Sequence, residues 1–234
     1  MNYRVYHVPD YLYPSDNPLG IPVLRLDRQA TWPILPISTW GRLNRSWLRN
    51  AGTVHFYTDD RRFTSLISHP HLLSNLGVFY AVEPNFSLGD QLPLAVGLFW
   101  LYWKRWLARF WQDHGVGIYV DLSVSDQYRE VNLLGVPRGW RSYAMRGYQG
   151  NNRDTLLAKY ELAVEHAGTS DIYMLVYGGG SDVRDLAIEY GWVWVPEDAH
   201  LYEKKTSHTH VQRKSVISPV PLQIRKTEKV VSSG

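Results

Sequence analysis

The 234-residue chain contains no cysteine. That excludes disulfides, thiolate-bound metal centres and a cysteine nucleophile, and it fits a reducing compartment. An apolar run of bilayer length is missing too. The longest, Leu92 to Trp103, is broken by Lys104 and Arg105 and falls short of the about 20 residues that a spanning helix needs. The N-terminal stretch MNYRVYHVPDYLYPSD lacks the apolar core of a signal peptide. A cytoplasmic protein without membrane contact is expected. No internal repeat is visible.

Aromatic residues are abundant, with ten tryptophans and sixteen tyrosines. Rings of that size predict a heavily aromatic core. Net charge is only +3, but it is unevenly spread. From Lys204 onward, seven Lys and Arg face the single acid Glu228, which leaves 18 basic and 21 acidic residues in the first 203. The expected organisation is one α/β domain over residues 1–203, opening with an irregular wrap over 1–50, and a basic, flexible tail over 204–234. Lys204, Lys205, Arg213, Lys214, Arg225 and Lys226 make that tail the candidate for nucleic-acid phosphates. The tryptophan-rich residues 1–50 are the candidate for a protein partner.

From about residue 53 a regular alternation begins. TVHFYT, VFYAV, GIYVDLSV, WRSYAMRG, IYMLVY and WVWVP read as strands. Helices are expected over 63–68, 72–76, 92–113, 153–167 and from Ser181 or Asp182 to Tyr190. Asp90 is placed to cap the long helix and Gly115 to end it. On that helix, WLYWKRWLARFW places Phe99, Trp103, Trp106 and Phe110 on an apolar face and turns Lys104, Arg105 and Arg109 outward. Near-continuous apolar strands alternating with helices indicate a parallel sheet, either open and doubly wound or a partial (β/α) barrel.

In both architectures ligands sit at the carboxyl ends of the strands. Read in order, those ends carry Asp59-Asp60, Glu83-Pro84-Asn85, Asp121, Arg146-Gly147, Gly178-Gly179-Gly180 and Glu197-Asp198. Pro84 stops its strand so that the loop turns outward. Asp60, Glu83 and Asp121 are the candidate ligands for a hard cation such as Mg²⁺, which prefers oxygen. Arg146 suits a phosphate or carboxylate. Gly178, Gly179, Gly180 and Ser181 form a turn before a helix N-terminus, as in a phosphate cradle, but without the Lys-Ser/Thr ending of a P-loop. The competing expectation is that these acids cap helices and solvate loops.

HFYTDDRRF, then LSNLGVFYAVEPNFSLGDQLPLAVGLFWLYWKRW, then a Gly-led strand and VYGGG, resemble the domain-of-unknown-function family numbered 4417, over roughly residues 50–195. Members of that family occur largely on phages, plasmids and bacterial chromosomes, so the resemblance implies a role in mobile-element biology. Family members typically show Pro-Asp-Phe-Ser where this chain has Pro84-Asn85-Phe86-Ser87. Asn85 can ligate weakly but cannot act as a base.

Three functions compete. One is a nucleic-acid-associated protein of a mobile element. If catalytic, it would carry out metal-assisted phosphoryl transfer or phosphoester hydrolysis, with Asp60, Glu83, Asn85, Asp121 and Arg146 as its site. Another is a small-molecule enzyme or binder that uses the same acids on a sugar or metabolite. The last is a non-catalytic partner-binding protein.

Overall fold

The computed structural model describes residues 9, 11–41, 51–148 and 153–197. Asp198 and the basic segment 204–234 lie outside the described residues, as do 42–50. Seven strands, β1 (Ile37–Thr39), β2 (Thr53–His55), β3 (Tyr80–Val82), β4 (Gly117–Asp121), β5 (Ser142–Gly147), β6 (Tyr173–Gly178) and β7 (Val193–Val195), form one sheet. Every adjacent pair is parallel, and the strands follow one another in chain order. A doubly wound sheet reverses its order at a switch point. This one never does, and the barrel-like alternative holds.

Curvature confirms it. In a flat sheet β2 and β6, four places apart, would lie about 19 Å from each other. Yet the rings of His55 and Tyr177 approach to 4.1 Å and those of Tyr57 and Tyr177 stack at 5.7 Å. The sheet is therefore curled, with Ile37, Tyr57, Val82, Tyr119, Ala144, Leu175, Tyr177 and Val195 packed together inside. Alternate residues such as Val54, Phe56, Ala81, Ile118, Val120, Met145 and Val176 face the helices. Both faces are buried, so the strands read as continuous apolar runs rather than alternating ones.

The amino end of this curl is closed by residues 29–31. Ala30 N–H donates to Ile118 O (3.0 Å), Arg141 N–H to Gln29 Oε1 (2.7 Å), and the hydroxyls of Thr31 and Tyr80 meet at 2.9 Å. Tyr119 and Ser142 hydroxyls donate to the carbonyls of Thr31 and Ala30.

Among the described residues, five helices lie between the strands: α1 (Ser65–Ser68), α2 (His71–Ser74), α3 (Leu94–Asp113), α4 (Arg153–Ala167) and α5 (Gly180–Tyr190). Helix α3 ends as its sequence signals. Gly115, at φ +88°, lets its N–H reach Gln112 O (3.1 Å) and Val116 N–H reach Trp111 O (3.0 Å), which closes the last turn. Its start differs from expectation. Pro93 takes the cap position without a side-chain cap bond, and Asp90 plays no part. Gly179, not Ser181 or Asp182, likewise precedes α5.

The larger correction concerns the faces of α3. Lys104 and Arg105 are not turned outward: they are 1% and 0% exposed, whereas Phe99 is 40% exposed. A buried seam runs through Gly97, Leu101, Lys104, Ala108 and Trp111 in four-three alternation and carries Lys104 inward, while Arg105, one position on, is buried beside it. Trp103 and Trp106 are buried on another side. There Tyr13 packs against Trp106 at 5.7 Å, and the Trp106 indole donates to Tyr11 O (3.1 Å). Gln112 fastens the same wrap, accepting from Arg25 N–H (2.7 Å) and donating to the carbonyls of Arg25 (2.9 Å) and Arg28 (3.0 Å). The helix is apolar almost all round because it lies between sheet and wrap. Trp111 stacks on Phe56 at 5.5 Å, and a tryptophan so enclosed removes about 200 Å² from water, worth about 5 kcal/mol before entropy.

Behind β5, His166 is 7% exposed and its Nδ1 lies 3.0 Å from the Tyr143 hydroxyl. Burial, and then the Arg138 charge, hold its pKa below the ordinary imidazole value. A depressed cation pKa means that the unfolded chain binds the proton first. Stability is then fully present above about pH 6.5 and is lost as pH falls below it, at most about 1.4 kcal/mol per pH unit. Urea denaturation at pH 5 and pH 7.5 should show that loss, and His166→Gln should flatten it. An equal slope in the variant would assign the effect to another group.

Candidate functional site

The carboxyl ends of the strands do gather polar side chains, in three groups of different character. In the first, strands β3 and β4 end on Glu83 and Asp121, both 0% exposed. Arg105 donates to Glu83 Oε1, Asn132 O and Leu134 O. Lys104 Nζ reaches Asp121 Oδ2 (3.1 Å), Asp121 O (2.8 Å) and Asn132 Oδ1 (3.0 Å), with Glu83 at 3.9 Å. Asp121 N–H donates to Glu83 Oε2 (3.2 Å), which ties the two acids through the backbone. Two cations from one turn of α3 thus balance two carboxylates from neighbouring strands. Burial pushes the Glu83 carboxyl above its usual range, while Arg105 and then Lys104 pull it down.

Asp121 is saturated. Its Oδ1 accepts from the Tyr57 hydroxyl (3.1 Å) and Ser123 N–H (3.0 Å). Besides Lys104, its Oδ2 accepts from the Asn85 amide at 3.2 Å, with that amide oriented by its hydrogen-bonding surroundings. The Tyr57 phenol is pushed well above its usual pKa by burial and then by the Asp121 charge, so it stays protonated as a donor. Glu83, Asn85 and Asp121 are therefore brought together.

Asp60 is not part of this group. It sits in the turn Asp60–Arg62 and holds the next loop, accepting from Ser87 N–H (3.0 Å) and Ser87 Oγ (3.1 Å), while Asp59 caps the turn through Arg61 N–H (2.9 Å). Among the described residues no group of three His, Cys, Asp or Glu side chains is arranged to hold a metal ion. The expected Asp60/Glu83/Asp121 ligand set is not assembled. Its members are spent on an internal ion-pair network and a loop brace.

The second group is Arg146 and its neighbours. Arg146 lies on the inward face of β5, in register with Tyr177, and its backbone N–H is held by Ser123 Oγ (2.7 Å). Its guanidinium lies 4.8 Å from the centroid of Tyr148, a half-exposed ring. Its Nε is buried and has no hydrogen-bond partner, and no carboxylate pairs with it among the described residues. Beside it, Thr39 and His55 meet at 3.1 Å inside the curl.

The third group is the glycine turn. Gly178, Gly179 and Gly180 all adopt positive φ (79°, 82° and 74°), which favours glycine at each. Gly179 also packs on β5, since a Cβ there would stand 3.0 Å from Gly147 Cα. The turn therefore borders Arg146-Gly147. A Cβ on Gly178 would stand 2.8 Å from Glu197 Oε1, so the chain's own carboxylate lies over the first glycine.

The strand-end rule pointed to Glu83, Asp121 and Arg146 but missed Lys104, Arg105, Asn132 and Tyr57. The four-three seam of α3 marks Lys104 in the sequence, and Arg105 lies one position off it. No helix among the described residues is long and apolar enough to cross a membrane.

The chain is similar to the Gene 1 protein of Mycobacterium phage L5, 29% identical over 155 residues that make up 62% of this chain and 67% of the relative. It is also similar to the Gene 1 protein of Mycobacterium phage D29, 31% identical over 110 residues, 45% of this chain and 40% of the relative. No solved structure matches. Residues 13–162 match the family described as Domain of unknown function (DUF4417). The match starts earlier than the 50–195 stretch that carries the resemblance, because it includes the wrap from Tyr13. It also ends earlier, inside α4, and so includes Glu83, Asn85, Asp121 and Arg146 but not the glycine turn. Residues 13–162 are more than half of the chain, which therefore belongs to the DUF4417 family.

Proposed function

We propose that this chain is a nucleic-acid-associated protein of a phage or other mobile element, with the carboxyl rim of its curled sheet facing a phosphate. One observation carries the reading: Arg146 is buried at Nε and, among the described residues, has no carboxylate partner, at a rim where the neighbouring cations, Lys104 and Arg105, are matched by carboxylates. An arginine so placed, with a half-exposed tyrosine beside it, suits a phosphate and an adjoining planar base. The seven basic residues after Glu203 supply sequence-independent charge, and the likeness to phage proteins supports the setting. Glu83 and Asp121 act here as framework, because their oxygens are already taken.

Binding to single-stranded and duplex oligonucleotides across a salt series tests it. Affinity should fall with salt, and deletion of 204–234 should flatten the dependence by several phosphate contacts. Arg146→Ala should weaken binding and lower the slope by about one. Unchanged binding in both variants would remove the proposal. A bound small anion with no oligonucleotide affinity would move the reading to a metabolite binder.

A further inference from the structure

The interior below the rim is filled by side chains and its amino end is sealed by residues 29–31, so no strand can thread the curl. Arg146 stands at the open end of that interior. Its Nε is enclosed without a hydrogen-bond partner, whereas its terminal nitrogens are not enclosed and make no hydrogen bond among the described residues. The root of the guanidinium is thus sunk and its fork is left open to the rim, a geometry that takes two oxygens of one anion. The loops around it offer no second cation of this kind. Arg61 lies 4.0 Å from Asp59, Arg62 donates to Gly41 O (2.7 Å), Arg129 pairs with Asp126, and Arg184 pairs with Asp185 at 2.9 Å. On the β7 side the Glu197 side chain lies over Gly178, the register partner of Gly147. Among the described residues the rim therefore carries one open fork and no cationic track.

We infer, resting on the nucleic-acid reading above, that Arg146 receives the terminal phosphate of a strand in preference to a phosphate within it. A protein that holds the middle of a strand lines the path with positive charge. A phosphodiester seated on Arg146 would have to carry its chain away on both sides, towards Glu197 on one and towards charge-matched pairs such as Arg61 and Asp59 on the other. A terminal phosphate needs only one exit. It also gives more to a lone cation, since a monoester at neutral pH carries about −1.5 to −2 charges and three strong acceptor oxygens, more than a diester offers. Backbone donors border the same spot. Helix α5 begins at Gly180 without a side-chain cap, and Gly179 packs on Gly147, next to Arg146. The half-exposed Tyr148 ring, 4.8 Å from the guanidinium, suits the last base of the strand.

The full chain is titrated at neutral pH with a single-stranded DNA of one sequence in four forms: with a 5′-phosphate, with a 3′-phosphate, with neither, and closed into a circle. At least one phosphorylated form is expected to bind about tenfold or more tighter than the unphosphorylated strand and the circle, and the form that gains identifies which end enters. Arg146→Ala should abolish the difference between forms. Arg146→Lys, which keeps the charge but not the fork, should retain only part of it. Equal affinity for all four forms in the wild type overturns the inference and leaves the nucleic-acid reading standing. No affinity for any form overturns that reading as well. A difference that survives Arg146→Ala places the end on another residue and also overturns the assignment. Because the comparison of ligands is made on the wild-type chain, a variant that folds poorly does not shield it.

Discussion

Replacing Arg105 by alanine is expected to cost the fold about 3–5 kcal/mol, because it leaves the fully buried Glu83 with only Lys104, at 3.9 Å, for its charge. The same change strips donors from the carbonyls of Asn132 and Leu134, each loss worth about 1 kcal/mol. Glu83→Ala should be comparably harmful from the other side, since it strands the guanidinium. The informative variant is the pair. Glu83→Leu combined with Arg105→Met removes one charge of each sign and leaves Lys104 balanced by Asp121. Replacing a buried ion pair by apolar side chains of similar volume is often close to neutral, because the charges no longer need to leave water. The double variant should therefore be far more stable than the sum of the single changes, with a coupling of at least about 2 kcal/mol in a denaturant double-mutant cycle. Additive losses would mean that Glu83 and Arg105 act independently and that the network account is wrong.

A second large effect is expected at Gly135, where the wrap meets the loop between β4 and β5. Gly135 has φ +72°, accepts from Leu24 N–H (2.8 Å), and a Cβ added to it would stand 2.0 Å from Pro22 O. Gly135→Ala must therefore pay for a left-handed backbone and also push the wrap away. A loss of about 2–3 kcal/mol is expected, with faster amide exchange over residues 21–32 as the second readout. Gly139 separates the two causes. It shares the backbone conformation, at φ +83°, but a Cβ there meets nothing within 4 Å. Gly139→Ala should cost about 1 kcal/mol from the backbone alone and leave exchange in the wrap unaltered. Similar losses and similar exchange in both variants would refute the docking role of Gly135.

Much of the architecture was legible in the sequence because parallel strands buried on both faces produce conspicuous apolar runs. VFYAV and IYMLVY could be placed without coordinates, and Gly115 and Gly191 punctuate their helices with positive φ. Strand β1 was not legible. Ile37, Ser38 and Thr39 are three residues among prolines and tryptophans, too few to establish a period. Nor could the choice between open sheet and curl be read from periodicity, since both bury each strand twice. It became evident only where His55 meets Tyr177 across the interior. The site divided along the same line. Glu83, Asp121 and Arg146 follow from a topological rule, but what each does depends on what α3 presents to it. A helix with aromatics on every side gives no single apolar stripe, so assigning the inward face by ring count alone placed Lys104 and Arg105 on the wrong side. Asp60 illustrates the opposite lesson: an acid at a strand end that holds the neighbouring loop through Ser87.

The seal formed by residues 29–31 closes the amino end of the curled sheet over its packed interior, which leaves the polar carboxyl rim as the mouth of a cup. Because all seven strands run the same way, β7 delivers the chain to that mouth, where Glu197 lies over Gly178. Lys204 follows Glu197 by only seven residues, and a polypeptide of that length cannot stretch beyond about 25 Å. Any polymer gripped at the first lysines of the basic segment is thereby leashed within reach of Arg146, and its local concentration there is set by tether length rather than by bulk solution.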